Sequence, residues 1–272
     1  MLREQRHHLI LDALRARGTS TVADLAGSVD ASVATLRRDL AELDASGLLR
    51  RVRGGAMPID EHDEPFDAVR GVNADAKEAI ARVAAGLVRD GQSVLLDIGT
   101  TTHRIAQALC GRRITVLTSS LPAAAVLAGD PAVELMVLGG LVRRDYHSMV
   151  GFLTEHALEQ VHADVLFLST SGIRTGGDGD LQVMDTTVLE VPIKRAMLRA
   201  ASRAYVVADA TKFPGRGSSR VCDGSDLAGL VTSATAPAAA LDAARRGGLE
   251  VHLDDVQGSR ATETLSNMIV PE

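Results

Sequence analysis

The chain has 272 residues, 46% of them hydrophobic, and a formal net charge of -6; this allows one or two domains with a sizeable core, and charges or glycines break every apolar run before the roughly 18–20 residues of a membrane helix. Two cysteines make no disulfide framework, and the N-terminus has charges inside its apolar part and no small-residue cleavage site, so a reducing cytoplasm and no signal peptide are expected. Aromatic residues are 2% and tryptophan is absent, which argues against base-stacking platforms for single strands and favours a duplex if nucleic acid is bound.

The charge is uneven along the chain. Residues 1–57 carry nine arginines against seven acids, whereas the remainder is strongly acidic. A weakly basic head on an acidic body points to a head that meets a polyanion. In chain order, residues 3–17 read as a helix with Leu9, Ile10, Ala13 and Leu14 as its apolar stripe. Thr21, with Asp24 three residues on, is a capping-box variant that opens a short helix over 22–28. Ser32 is placed to cap a third helix running to about Ala45, with Gly47 ending it.

At about 100° per residue, Val33, Leu36, Leu40 and Leu43 share the buried face of that third helix. Ala34 and Arg38 point away, flanked by Thr35 and Arg37. Small residues and arginines on the first half of a helix suit entry into a major groove about 12 Å wide. The following LLRRVRGGA alternates like a short hairpin whose Arg50, Arg51 and Arg53 suit phosphates or a minor groove. A solvated amphipathic helix with scattered arginines is the plainer alternative. Residues 58–72, with two prolines and five acids across 57–72, read as a linker, partly helical.

From residue 73 onward helices and apolar strands alternate. Strands are expected over 93–98, 114–119, 133–139, 163–169 and 204–210, with further candidates over 227–233 and 250–253. Helices are expected over 76–89, 102–109, 122–128, 153–161 and 187–201. The pattern predicts an α/β domain with a mainly parallel sheet buried on both faces. Ligands in such folds sit beyond the carboxyl ends of the strands. Those ends carry Gly99-Thr100-Thr101-Thr102, Ser119-Ser120, Gly139-Gly140 with Arg143, Thr170-Ser171-Gly172, and Thr211-Lys212. Free amides, hydroxyls and cations on one rim suit a small anion. Each piece alone fits an ordinary turn. Only three of the 29 cationic side chains are lysine, Lys77, Lys194 and Lys212, as if a compact ammonium were wanted there.

The stretch 35–56 holds Thr-Leu-Arg-Arg-Asp-Leu, then Gly-Leu-Leu, then Gly-Gly-Ala. It resembles the winged helix-turn-helix of the DeoR family of bacterial sugar-metabolism regulators. The body resembles the family's sensor domain through DIGTTT (97–102), LTSS (117–120), LGG with Arg143, SGIRTGGDG (171–179), Glu190 with Lys194, and DATKF (209–213). The resemblance spans nearly the whole chain. It implies a winged helix-turn-helix over 1–57, a linker over 58–72, an effector-sensing α/β domain over 73–256 similar in fold to ribose-5-phosphate isomerase, and a tail over 257–272.

The resemblance also implies function: a transcriptional regulator, with repression the expected mode, that binds a double-stranded operator through Ser32, Ala34, Thr35, Arg37, Arg38, Arg50, Arg51 and Arg53. A phosphorylated sugar or polyol would contact Gly99, Thr100, Thr101, Thr102 and Lys212, with Ser119, Ser120, Gly140 and Arg143 nearby and Asp97, Asp185 and Glu190 facing hydroxyls. No cofactor and no metal are expected, since the eight histidines are scattered. A homodimer or larger homo-oligomer is expected. Three departures stand out: Ser119 where many relatives have asparagine, Ser233 where many have aspartate, and Pro192 near the start of a helix. The alternative is a sugar-phosphate isomerase-like enzyme with a DNA-binding head, using carboxylates such as Glu190 as a base.

Overall fold

The structure, a computed structural model, describes residues 3–17, 20–29, 31–45, 49–52, 54–57, 65–176 and 179–254. The chain divides into two compact units, Met1–His62 and Asp63–Glu272.

The first unit comprises α1 (Arg3–Arg17), β1 (Ser20–Thr21), α2 (Val22–Ser28), α3 (Val33–Ala45), β2 (Arg50–Val52) and β3 (Gly55–Met57). The strands form an antiparallel sheet in the order β1-β3-β2. Thr21 caps α2 by accepting from the Asp24 amide at 3.2 Å. Ser32 does the same for α3, accepting from the Thr35 amide at 3.2 Å. Ile10, Leu14, Leu25, Leu36, Leu40, Leu43 and Leu49 make the core. Two expectations fail here. Leu9 and Val33 are exposed, Val33 because it opens the first turn of α3, ahead of the packed stretch.

The second unit runs α4 (Phe66–Val69), α5 (Ala74–Gly86), β4 (Ser93–Leu96), α6 (Thr100–Ala108), β5 (Ile114–Thr118), α7 (Leu121–Leu127), β6 (Val133–Val137), β7 (Leu141–Arg143), β8 (Ser148–Val150), α8 (Phe152–Glu159), β9 (Ala163–Ser169), β10 (Gly172–Thr175), β11 (Leu181–Asp185), α9 (Glu190–Arg199), β12 (Ala201–Ala208), β13 (Ser219–Asp223), β14 (Gly229–Thr232), α10 (Ala238–Arg246) and β15 (Glu250–Leu253). Among the described residues, seven strands form a parallel sheet in the order β15-β14-β12-β9-β4-β5-β6.

Period-two alternation sorts the side chains of that sheet onto two buried faces. Val94, Leu96, Val165, Phe167, Tyr205 and Val207 pack with α5, α6 and α7. Leu95, Leu166, Leu168, Ala204 and Val206 pack with α8, α9 and α10. Two smaller antiparallel sheets, β10-β11-β13 and β7-β8, stand beside the main one. They and α10 were absent from the sequence-based expectation.

The connector also differs from expectation. Phe66 is buried, and its amide donates to the Asp145 carbonyl at 2.9 Å. Residues 65–72 therefore belong to the second unit rather than to a free linker. The Arg53 position, Gly47, residues 58–64 and the expected tail over 257–272 lie outside the described residues.

Candidate functional site

The strand order reverses between β4 and β9: from β4 the chain moves outward through β5 and β6, then returns to β9 and proceeds through β12, β14 and β15. At such a reversal the loops leaving two adjacent strands diverge and open a crevice at their carboxyl ends. Asp97 follows β4 there, and Ser169 ends β9. The Ser169 amide and hydroxyl donate to Asp97 Oδ2 at 2.8 and 2.7 Å.

Lys194, from α9, closes the crevice floor. It is 1% exposed. Its ammonium donates to Asp97 Oδ2 at 2.5 Å, to the Ser169 carbonyl at 2.9 Å and to the Ser169 hydroxyl at 2.7 Å. It also pairs with Asp185 Oδ2 at 3.3 Å. Burial opposes its charge, but Asp97 and Asp185 outweigh that and push its pKa upward. Glu190, one helical turn earlier on α9, is as buried as the lysine. It accepts at Oε1 from the Ser148 hydroxyl at 2.7 Å and from Arg143 at 3.0 Å. Burial raises the Glu190 pKa despite those donors.

Among the described residues, Asp97 Oδ1, Glu190 Oε2 and Ser119 Oγ are buried without a hydrogen-bond partner. Leaving such a group unsatisfied costs about 1–3 kcal/mol each. Three of them around one crevice are therefore an uncompensated expense in the ligand-free fold. The start of α6 adds backbone donors. Its cap is Gly99, with φ 120 and no side-chain cap bond. That positive φ favours glycine, and a Cβ would also meet the Ser169 Cβ at 3.4 Å.

The other expected residues separate into those that face the crevice and those that hold its walls. Thr100 and Thr101 lie in the first turn of α6. The Thr102 hydroxyl is committed to the Gly99 carbonyl at 3.0 Å. Ser120 caps α7, accepting from the Ala123 amide at 3.3 Å. At Gly140 a Cβ would lie 2.1 Å from Thr154 Oγ1, so packing by itself requires glycine there. Arg143 is engaged by Glu190 and, at 3.3 Å, by the Thr187 hydroxyl. The Asp185 side chain also accepts from the Thr187 amide at 2.8 Å. Lys212 is half-buried at the end of a 3-10 turn that follows β12.

Lys194 was the residue that reasoning from the sequence undervalued. Its signals were the rarity of lysine and its spacing of four from Glu190 on one helix. Ser148 and Ser169 carried no signal.

In the first unit, α3 turns Ser32, Ala34, Arg37 and Arg38 outward, with Thr35 half-buried. Asp39 faces the other way. It accepts from Arg6 at 2.9 Å and lies 3.2 Å from His7 Nε2, and the Arg6 bond holds its carboxyl below the usual aspartate range. Arg51 is exposed on β2, its amide donating to the Asp44 side chain at 3.0 Å. Arg50 lies in β2 beside it.

Comparisons with known proteins agree with this two-part geometry. The DeoR-like helix-turn-helix domain matches residues 6–62, and the DeoR C terminal sensor domain matches residues 72–234. The chain belongs to the DeoR family of transcriptional regulators. Its relatives include the transcriptional repressor AccR of Agrobacterium fabrum, 35% identical over 77% of this chain and 81% of that protein. The glycerol-3-phosphate regulon repressor of Haemophilus influenzae is 30% identical over 85% and 90%. The L-fucose operon activator of the same organism is 33% identical over 76% and 83%. Among solved structures, a ribose 5-phosphate isomerase A from Methanocaldococcus jannaschii aligns with 52% of this chain and 54% of its own, at a TM-score of 0.38 and 16% identity, a partial likeness. The N-terminal unit is thus the DNA-binding head of a regulator and the C-terminal unit its sensor. Among the described residues no helix is long and apolar enough to cross a membrane.

Proposed function

We propose that this DeoR-family regulator is a cytoplasmic repressor of sugar or polyol genes, released from its operator by a phosphorylated sugar or polyol held at the β4–β9 crevice. The observation that carries this is the set of buried unpartnered oxygens, Asp97 Oδ1, Glu190 Oε2 and Ser119 Oγ, beside the uncapped start of α6. Hydroxyl groups would satisfy the carboxylate oxygens, and a phosphate would take the Gly99–Thr102 backbone amides with Lys212 as its cation. The relative that controls a glycerol-3-phosphate regulon favours the same chemistry. Repression is the mode we infer, as in that relative and in AccR.

On the head, Ser32, Ala34, Thr35, Arg37 and Arg38 of α3 would enter the major groove, and Arg50, Arg51 and Arg53 would follow the phosphates. Two half-sites call for two heads. Leu141 on β7, 74% exposed, and Phe152 at the start of α8, 77% exposed, are large apolar side chains left in the open that suit burial against a second copy of this chain. Sedimentation as a monomer at micromolar concentration would remove that part of the reading. We infer no catalysis, because the Lys194 ammonium is sealed between two carboxylates and Glu190 Oε1 is held by two donors.

The test is a thermal-shift screen of the full chain against sugars and polyols, each paired with its phosphate ester. Stabilisation by one or a few esters and not by the parent sugars is expected, worth about 2.7 kcal/mol at a hundredfold excess over Kd. No shift from any ester, or equal shifts from the parents, would overturn the anion crevice.

A further inference from the structure

The residues that join the connector to the body touch both walls of the crevice. On one wall, Phe66 donates its amide to the Asp145 carbonyl at 2.9 Å, in the turn between β7 and β8. Its ring stands edge-on to Tyr146, with centroids 6.0 Å apart, and 5.9 Å from His147. Tyr146 in turn lies under the Arg143 guanidinium, 5.3 Å from its centre, and Arg143 holds Glu190. On the other wall, Phe66 stands perpendicular to His103 at 5.7 Å, one residue after Thr102 on α6.

Two cations complete the attachment. Lys77, buried at the start of α5, donates to the Val69 carbonyl at 3.1 Å. Arg104 of α6 donates to the Arg70 carbonyl at 3.4 Å, and its Nε has no partner among the described residues. Asn73, which opens α5 at the end of the connector, donates to Asp209 Oδ1 at 3.4 Å. Asp209 also accepts from the Thr211 amide at 2.9 Å in the 3-10 turn that carries Lys212. Burial lowers the Lys77 pKa. The end of the connector therefore reaches the turn that carries the cation assigned to the phosphate. Arg104 also pairs with Glu78 at 3.5 Å, whereas the carbonyl that holds Lys77 is a weaker partner than an anionic oxygen.

We propose that residues 65–72 form a clasp, seated by Phe66 and held by Lys77 and Arg104, that opens when an anion occupies the start of α6 and so transmits occupancy to the connector. This rests on the phosphate site proposed above. The physical requirement for such transmission is a difference in ligand affinity between clasped and open states, and the shared cations supply it. Residues 58–64 lead from the clasp to the head in sequence, so a change at 65–72 alters the tether of the DNA-binding unit.

The experiment is hydrogen–deuterium exchange on the full chain, with and without a mixture of glycerol 3-phosphate, fructose 6-phosphate and ribose 5-phosphate, alongside the melting temperature. The wild type should melt higher with the esters, and exchange at 65–72 should rise about three- to tenfold, the worth of one or two hydrogen bonds. In Phe66→Leu, which keeps a buried apolar side chain, basal exchange at 65–72 should already be high and respond little, while the melting shift persists. In Arg104→Gln basal exchange should also be high, and the melting shift should shrink because the anion loses a cation it shares with the clasp. A melting shift with unchanged exchange at 65–72 would overturn the clasp and leave the crevice standing. No melting shift with any ester would overturn both. Variants that respond like the wild type would overturn the assignment of Phe66 and Arg104.

Discussion

The two units of this chain place their functional cations in opposite ways. In the head the buried ion is an acid, Asp39, which ties α3 to Arg6 and His7 of α1, while Arg37 and Arg38 on the same helix face solvent. In the sensor the deeply buried cation is Lys194, enclosed by Asp97 and Asp185, and the atoms left without partners at the crevice, Asp97 Oδ1, Glu190 Oε2 and Ser119 Oγ, are oxygens. The difference follows from the partner each must meet. A duplex is a long polyanion that arginines reach from the surface, largely by releasing its counterions. A small ligand has few groups, and it must be desolvated and paired one atom at a time. Exposed arginines on a rigid helix and orphaned oxygens in a crevice are the two signatures that separate these tasks.

The comparison breaks most violently at the buried lysine. Asp97→Ala leaves Lys194 inside the sensor with Asp185 as its remaining acid. Removing one partner of a buried pair costs about 3–5 kcal/mol. A denaturant titration should show the sensor transition moved by that amount and the head transition unmoved, since Asp97 lies in the second unit. A loss below about 1 kcal/mol would mean that the Lys194 cluster is solvated in solution.

How much of this could be read from the residues alone differs between the units. Leu36, Leu40 and Leu43 repeat at helical spacing, and all are buried. The same reasoning put Val33 inside, because periodicity knows nothing of where a helix begins to touch its neighbours. In the sensor, the parallel strands were legible because burial on both faces makes them continuously apolar. The antiparallel strands β10, β11 and β13 were not, since Arg174, Thr175, Gln182 and Arg220 interrupt their apolar runs. The strand-end rim was legible as a list of loops. Which loops meet was not, because the reversal between β4 and β9 is a property of strand order. The acidic stretch around Phe66 reads as a polar connector. Only tertiary contact with His103, Tyr146 and His147 shows it to be anchored.

A second break tests the oxygens. Burial raises the Glu190 carboxyl above its ordinary 4.5. In the ligand-free fold its ionisation is therefore penalised; that penalty sets in as pH rises above the ordinary 4.5 and is complete once pH passes the raised folded-state pKa. A ligand hydroxyl donating to Oε2 favours the ionised form. Ester affinity should accordingly fall as pH drops from 7 toward 5, starting above the pH at which an ordinary glutamate titrates. Glu190→Gln should weaken binding by about 2 kcal/mol, as for a lost hydrogen bond to a charged group, and flatten this dependence. Calorimetry of the stabilising ester at three pH values checks both. An unchanged pH profile in the variant would remove Glu190 from the ligand site.

The smallest effect sharpens the other side of the comparison. Arg38→Ala removes an exposed guanidinium on a helix whose core residues stay in place, so the head should melt as before. If Arg38 meets a phosphate, operator affinity should fall by about 1 kcal/mol and the salt dependence of binding should shallow by about one unit of slope. If it reads a guanine edge instead, the loss should reach about 1–3 kcal/mol and fall mainly on one base position, with less change in slope. Binding isotherms at several salt concentrations, on the operator and on single-base variants of it, separate the two. In either case the sensor should still bind its ester with wild-type affinity, because Arg38 and the crevice belong to different units. Operator binding unchanged in both strength and salt slope would show that the first half of α3 does not face the duplex, and the outward arginines would then be only a solvated surface.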